Sequence, residues 1–164
     1  MLFYTIKTLY VSYVRSVPEY CSVVWSPYLP THVARIESVQ KQFLLYALRK
    51  LGWSCLILPS YESRCMPINI ETLAKRREIA KVSFINDIIS HRVKSEYLLA
   101  SLNFYVPSRI LRTRNLFQVA PQRTMYATNR PLNQMMSTYN QHCIHIDVTM
   151  SRAAIRNALN RRQN

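Results

Sequence analysis

A chain of 164 residues with one glycine, Gly52, has few ways to make the tight hairpins that sheets require. Two-residue hairpin loops hold one or both central residues at positive φ, a conformation open to glycine and strained for L side chains. Its eight prolines and its serines supply another punctuation, that of helices ended and restarted by loops. A hydrophobic fraction of 49% suits a packed core rather than disorder. At this length one domain, with or without a helical tail, can withdraw roughly two-thirds of its unfolded surface from water. The expected class is all-α, an irregular helical bundle.

Periodicity places the helices. Leu2, Ile6, Leu9, Tyr10, Tyr13 and Val14 recur at three- and four-residue steps on one face, and Pro18 should kink or end that helix. A short apolar helix over Glu19–Trp25 is expected next, closed by Ser26-Pro27. Val33, Ile36, Val39, Gln40, Phe43, Leu44, Ala47, Leu48 and Leu51 form the firmest stripe, with Thr31 as its expected N-cap. Gly52 is its C′ residue and the one place where positive φ is expected. Residues 54–69 read as a connector marked by Pro59 and Pro67, and a helix over Ile70–Ser90 follows with a broad apolar face. Ser95 should cap a short helix, Pro131 should open another, and Ser151 should cap a last Arg-rich one. Between them, over about 103–130, Pro and Arg accumulate in what reads as an extended basic loop.

Charge sets the class of partner. The chain carries 22 Lys and Arg against 8 Asp and Glu, a formal +14. Residues 101–164 hold nine basic residues, all Arg, and a single acid. Arginine presents a planar fork of donors matched to phosphate oxygens. A polyanion is therefore expected as partner, RNA or DNA before an anionic membrane, although a merely solvated basic surface gives the same arithmetic. No apolar run reaches the length of a membrane span, and no signal peptide is expected. The four cysteines form no Cys-x-x-Cys pair and read as reduced thiols of an intracellular protein.

Two basic groups stand out. Lys75, Arg76 and Arg77, with Lys81 one turn on, lie on the Ile70–Ser90 helix, where such an edge can follow a phosphate backbone. Glu71 and Glu78 offer these cations intrahelical partners instead. The second group is Arg109, Arg112, Arg114, Arg123 and Arg130, interleaved with Phe104, Tyr105, Phe117 and Tyr126. Arg can clamp phosphates while Phe117 and Tyr126 stack on unpaired bases, or those rings can anchor the loop to the core.

No catalytic site is expected. Nucleotide transfer needs metal ions held by closely spaced carboxylates, and the two aspartates, Asp87 and Asp147, are sixty residues apart. His142, Cys143 and His145 are near one another, but zinc takes four ligands and the other cysteines lack the spacing. Cys65 beside Arg64 reads as a buried structural thiol before a reactive one. Neither metal nor cofactor is expected.

The residues Leu9, Tyr10, Ser12, Val14, Arg15, Ser16, Glu19, Tyr20, Ser22, Val24, Trp25, Pro27 and Tyr28 resemble the segment that follows the catalytic palm in reverse transcriptases of non-LTR (LINE-type) retrotransposons, the insect jockey-like group above all. The resemblance continues through Arg35–Lys41 and Phe43, through Leu58–Cys65 with Leu73 and Arg76-Arg77, and through Val106–Arg109, Leu111-Arg112, Tyr126–Asn129, Pro131 and Asn140. It runs nearly end to end; Pro18 and Cys21 depart from the family pattern. It implies that residues 1–52 are thumb-like helices, and that 53–164 are a C-terminal, Arg-rich region that helps hold template RNA and target DNA. The polymerase carboxylates and palm would lie elsewhere in the same polypeptide, with a nuclear and cytoplasmic location. The expectation is non-specific nucleic-acid binding in support of target-primed reverse transcription. An inert remnant of a transposable element and a domesticated helical adaptor are the other readings. A remnant would leave apolar surface exposed around Phe3, Tyr10 and Trp25.

Overall fold

Among the described residues every regular element of the computed structural model is helical, in keeping with the scarcity of glycine. The structure describes residues 2–52, 60–106 and 115–160, with side chains from Tyr4 onward. In chain order the elements are α1 (Leu2–Leu9), running into one π-helical turn (Tyr10–Val14), α2 (Ser16–Glu19), α3 (Ser22–Trp25), α4 (Pro30–Lys50), α5 (Tyr61–Cys65), α6 (Leu73–Ile89), α7 (Glu96–Ala100), α8 (Met125–Thr128), α9 (Pro131–His142) and α10 (Arg152–Asn160). Among the described residues no strand forms, and one isolated antiparallel bridge joins Phe104 to Phe117. No described helix is long and apolar enough to cross a membrane.

The first stripe breaks where the helix widens. The Arg15 N–H donates to the Tyr10 carbonyl at 2.8 Å, five residues back, which inserts an extra residue into the turn. Tyr10 is buried, whereas Tyr13 and Val14 swing out to solvent. The expectation of an exposed Tyr10 is thus corrected, and the Phe3 side chain lies outside the described set. Pro18 falls in the first turn of α2, where its missing N–H has no partner to lose. The expected Glu19–Trp25 helix is split, because Tyr20 is extended and Cys21 takes φ 50°. For α4 the N-cap is Leu29 rather than Thr31, with Pro30 at the first helical position. Gly52 does take φ 76°, but Cys21, Asn69 and His91 also lie at positive φ. With a single glycine, the chain makes its other left-handed turns with side chains that bear some strain.

Two compact units form, Met1–Arg77 and Glu78–Asn164, and α6 passes from one into the other. The core of the first holds Tyr10, Leu44, Ala47, Leu48, Cys65, Ile68 and Ile70. Tyr10 stacks on Phe43 with ring centroids 3.8 Å apart, and its hydroxyl donates to Gln40 Oε1 at 2.9 Å. Gln40, wholly buried, donates through Nε2 to the Glu71 carbonyl at 2.9 Å. Three residues earlier on α4, buried Glu37 accepts from the Tyr61 hydroxyl at 2.6 Å and from Arg77 Nη2 at 3.0 Å. Burial, then the bond to Glu37, raises the Tyr61 pKa far above its ordinary range. Lys7 closes the unit by donating to the Ile68 and Asn69 carbonyls at 2.8 and 3.0 Å.

The second unit packs Val82, Ile85 and Ile88 of α6 in its core, with Leu102, Phe117, Met135, Met136, Tyr139, Ile155 and Leu159 also buried. Asp87 is 1% exposed and is met by Arg152 at 2.6 Å and Arg92 at 3.2 Å. Asn86 donates to the Met150 carbonyl at 2.9 Å, which fixes the chain just before α10. Ser95 caps α7 and Ser151 caps α10, each hydroxyl accepting from the N–H three residues on. The expected loop over 103–130 is not extended throughout. Tyr105 N–H donates to the Leu116 carbonyl at 2.9 Å, Gln118 N–H to Asn103 at 2.8 Å, and α8 adds a helical turn.

Breaking the buried pair on α4 should be costly. Glu37→Leu strands the Arg77 guanidinium and Arg77→Met strands the carboxylate, each losing about 3–5 kcal/mol in urea unfolding. The double variant should recover most of that loss. Additive losses would show that the two groups act independently.

Candidate nucleic-acid interface

The basic run on α6 is spent inside the fold. Lys75 and Arg77 are buried, and Arg77 serves Glu37. Arg76 is held by Glu19 and Glu71, with Nη2 donating to Glu19 Oε2 at 2.9 Å and Nη1 to Glu71 Oε2 at 3.2 Å. The Glu19 bond is the main cause that raises the Arg76 pKa. Arg15 shares Glu19 at 3.6 Å, and its own pKa is lowered by burial and then by the Arg76 charge. Lys81 donates to Gln134 Oε1 at 2.7 Å. This face therefore organises helices rather than presenting a cationic edge.

Sequence reasoning missed the outer face of α4. Arg35, Gln42, Tyr46 and Arg49 recur at steps of seven, four and three residues, and all are exposed. From Arg35 to Arg49 this line runs about 21 Å at 1.5 Å per residue. Lys50 and Lys41 flank it, their ammonium groups 5.8 Å from the Tyr46 ring and 5.2 Å from the Tyr61 ring. The sole acid on α4 is Glu37, turned inward and neutralised. A long helix with four solvent-facing cations and no solvent-facing carboxylate presents uncompensated positive charge. The available signal was Glu37 itself, which falls in register with Gln40, Leu44 and Leu48 on the apolar side.

In the second unit, Arg123 and Arg130 are exposed and make no ion pair among the described residues, and Tyr126 beside them is 75% exposed. Phe117 is 1% exposed, its ring edge-on to Tyr139 at 5.4 Å and tilted against Phe104 at 5.3 Å. It anchors its segment to the core and has no free face for a base. Asn140 fixes that segment: its Oδ1 accepts from Leu116 and Phe117 N–H at 3.1 and 3.0 Å, and its Nδ2 donates to the Phe117 carbonyl at 2.8 Å. Arg109, Arg112 and Arg114 lie outside the described residues.

His142 and Cys65 are held in the interior. His142 is buried against Glu78 at 2.6 Å. Among the described residues no three His, Cys, Asp or Glu side chains gather to hold a metal ion. Burial pushes the Cys65 thiol up to about 11, against a smaller opposing effect of the Gln40 hydrogen bond.

In native chain at pH 8, a maleimide should label exposed Cys21 and leave Cys65 unmodified until unfolding, read by peptide mass spectrometry. Because burial disfavours the Cys65 thiolate, the fold loses stability as pH climbs from the ordinary thiol value of 9.0 toward about 11. Equal labelling of both thiols would contradict this arrangement. Set beside known proteins, the chain matches no family model, no curated protein and no solved structure.

Proposed function

We propose that this chain is the thumb and downstream portion of a non-LTR retrotransposon reverse transcriptase. Its own capacity is sequence-independent binding of RNA and DNA in support of target-primed reverse transcription. The observation that carries the binding is the sorting of cations: Arg76 and Arg77 are neutralised inside, while Arg35, Lys41, Arg49 and Lys50 on α4 and Arg123 and Arg130 near α8 remain at the surface. Exposed cations carried along one long helix suit the repeated charge of a nucleic-acid backbone and read no base. The ordered motif series supports the family, and Arg109, Arg112 and Arg114 extend the basic composition of the same region. Chemistry would belong to the palm of the same polypeptide, and the site of action would be nuclear and cytoplasmic.

A second reading draws on exposed apolar side chains at the N-terminal end. Tyr13, Val17, Tyr20 and Val24 are each more than half exposed. That surface suits a remnant or a protein-interaction module with nothing yet covering it. Nucleic-acid binding separates the two readings.

A fluorescence titration with a short duplex should show log K falling linearly with log salt, by about 0.9 per phosphate contact. Four contacts from α4 give roughly a hundredfold loss between about 50 and 200 mM salt. Arg35→Gln with Arg49→Gln should flatten the slope by about 2. No binding at low salt would reject the reading in favour of the remnant.

A further inference from the structure

Within the second unit, the segment around the Phe104–Phe117 bridge and the last turns of α9 enclose an open cleft of about 480 Å³. That volume lies within the roughly 300–1,000 Å³ common for small-ligand sites. Among the described residues its lining is polar and uncharged: Tyr105, Asn115, Gln118, Ser137, Asn140 and Gln141 carry its polar groups. The Asn140 amide is committed to the Leu116 and Phe117 backbone, so it stiffens the wall rather than serving a ligand. Asn115 and Gln118 are exposed, and each offers a planar amide with both a donor and an acceptor. Tyr105 is half-buried, so part of its ring remains available.

The chemistry of the described lining favours one kind of ligand. No cation among the described lining residues stands ready to pair with a phosphate or carboxylate. An aliphatic ligand would strip water from the amides and return no hydrogen bond. A flat, uncharged ring with donors and acceptors along one edge meets both demands. Arg130, exposed at the N-cap of α9, stands seven residues before Ser137, about 10 Å along the helix. It can therefore receive the phosphate of a strand whose base enters the cleft.

We propose that the cleft takes one unpaired nucleobase of single-stranded RNA or DNA, with Tyr105 against its face and the Asn115 and Gln118 amides on its edge. The inference rests on the nucleic-acid reading above and adds to it a preference for single strands.

The test uses the whole chain and two probes. Adenosine and uridine, which carry no phosphate, are titrated at millimolar concentration while the Asn115 and Gln118 side-chain amide signals are followed by NMR. Saturable shifts are expected, absent with ribose alone and absent for the cleft in the Asn115→Ala, Gln118→Ala double variant. In the second arm, an intact single strand should bind about tenfold tighter than an abasic strand of equal length. The double variant should bring the intact strand down to the abasic level and leave duplex affinity unchanged. Unmoved amide signals, or an equal loss for intact, abasic and duplex ligands, would overturn the proposal. Shifts produced by a blocked dipeptide and not by nucleosides would also overturn it and assign the cleft to a peptide. Failure of the backbone reading appears separately, as absent salt-dependent duplex binding, because the nucleoside arm needs no phosphate contact.

Discussion

The buried carboxylate of Glu37 constrains the whole first unit. It lies on the inner side of the longest helix, in line with Leu44 and Leu48, where an unpaired charge would cost several kcal/mol. Its two oxygens are answered by Tyr61 from α5 and Arg77 from α6, so three helices must meet at one place. Gln40, one turn on, repeats the device with neutral groups by bonding Tyr10 and the Glu71 carbonyl. Apolar packing alone would tolerate helices sliding against each other; these directional bonds do not. Among the described residues Arg77 Nη1 has no hydrogen-bond partner, so the pair fixes a register without satisfying every buried donor.

The same choice decides what the surface can do. Acidic residues are few, and several are drawn inward: Glu37 to Arg77, Glu19 to Arg76, Asp87 to Arg152 and Arg92. Each such pair removes a carboxylate that might have offset the solvent-facing cations. On α4, Arg35, Lys41, Arg49 and Lys50 face solvent with no outward carboxylate on the same helix to oppose them. The surface charge is a by-product of how the core solved its polar groups. In the second unit Asn140 plays a comparable part, since its single amide holds the Phe117 backbone and shapes the adjoining cleft.

Much of this was legible in advance, for physical reasons that differ by element. One glycine and regular apolar spacing gave the all-α class, α4, α6, the start of α9 at Pro131 and the caps at Ser95 and Ser151, because these depend on local geometry. The π turn at Tyr10–Val14 was not legible, since one inserted residue rotates the face without altering composition. The left-handed Cys21 and His91 were hidden because neither residue type announces positive φ. Roles of individual cations were least legible. Lys75, Arg76 and Arg77 look like a solvent edge until long-range partners at Glu19 and Glu37 claim two of them, and such pairings lie forty or more residues away. Phe117 went the same way, its ring taken by Tyr139.

The division between inward and outward cations can be read directly by arginine-specific dicarbonyl footprinting of the native chain, with and without a nucleic-acid duplex. Arg35, Arg49, Arg123 and Arg130 should be modified in the free chain and protected by the duplex, with Arg76 and Arg77 silent in both states. Modification of Arg76 and Arg77 in the free chain, with protection by the duplex, would contradict that division.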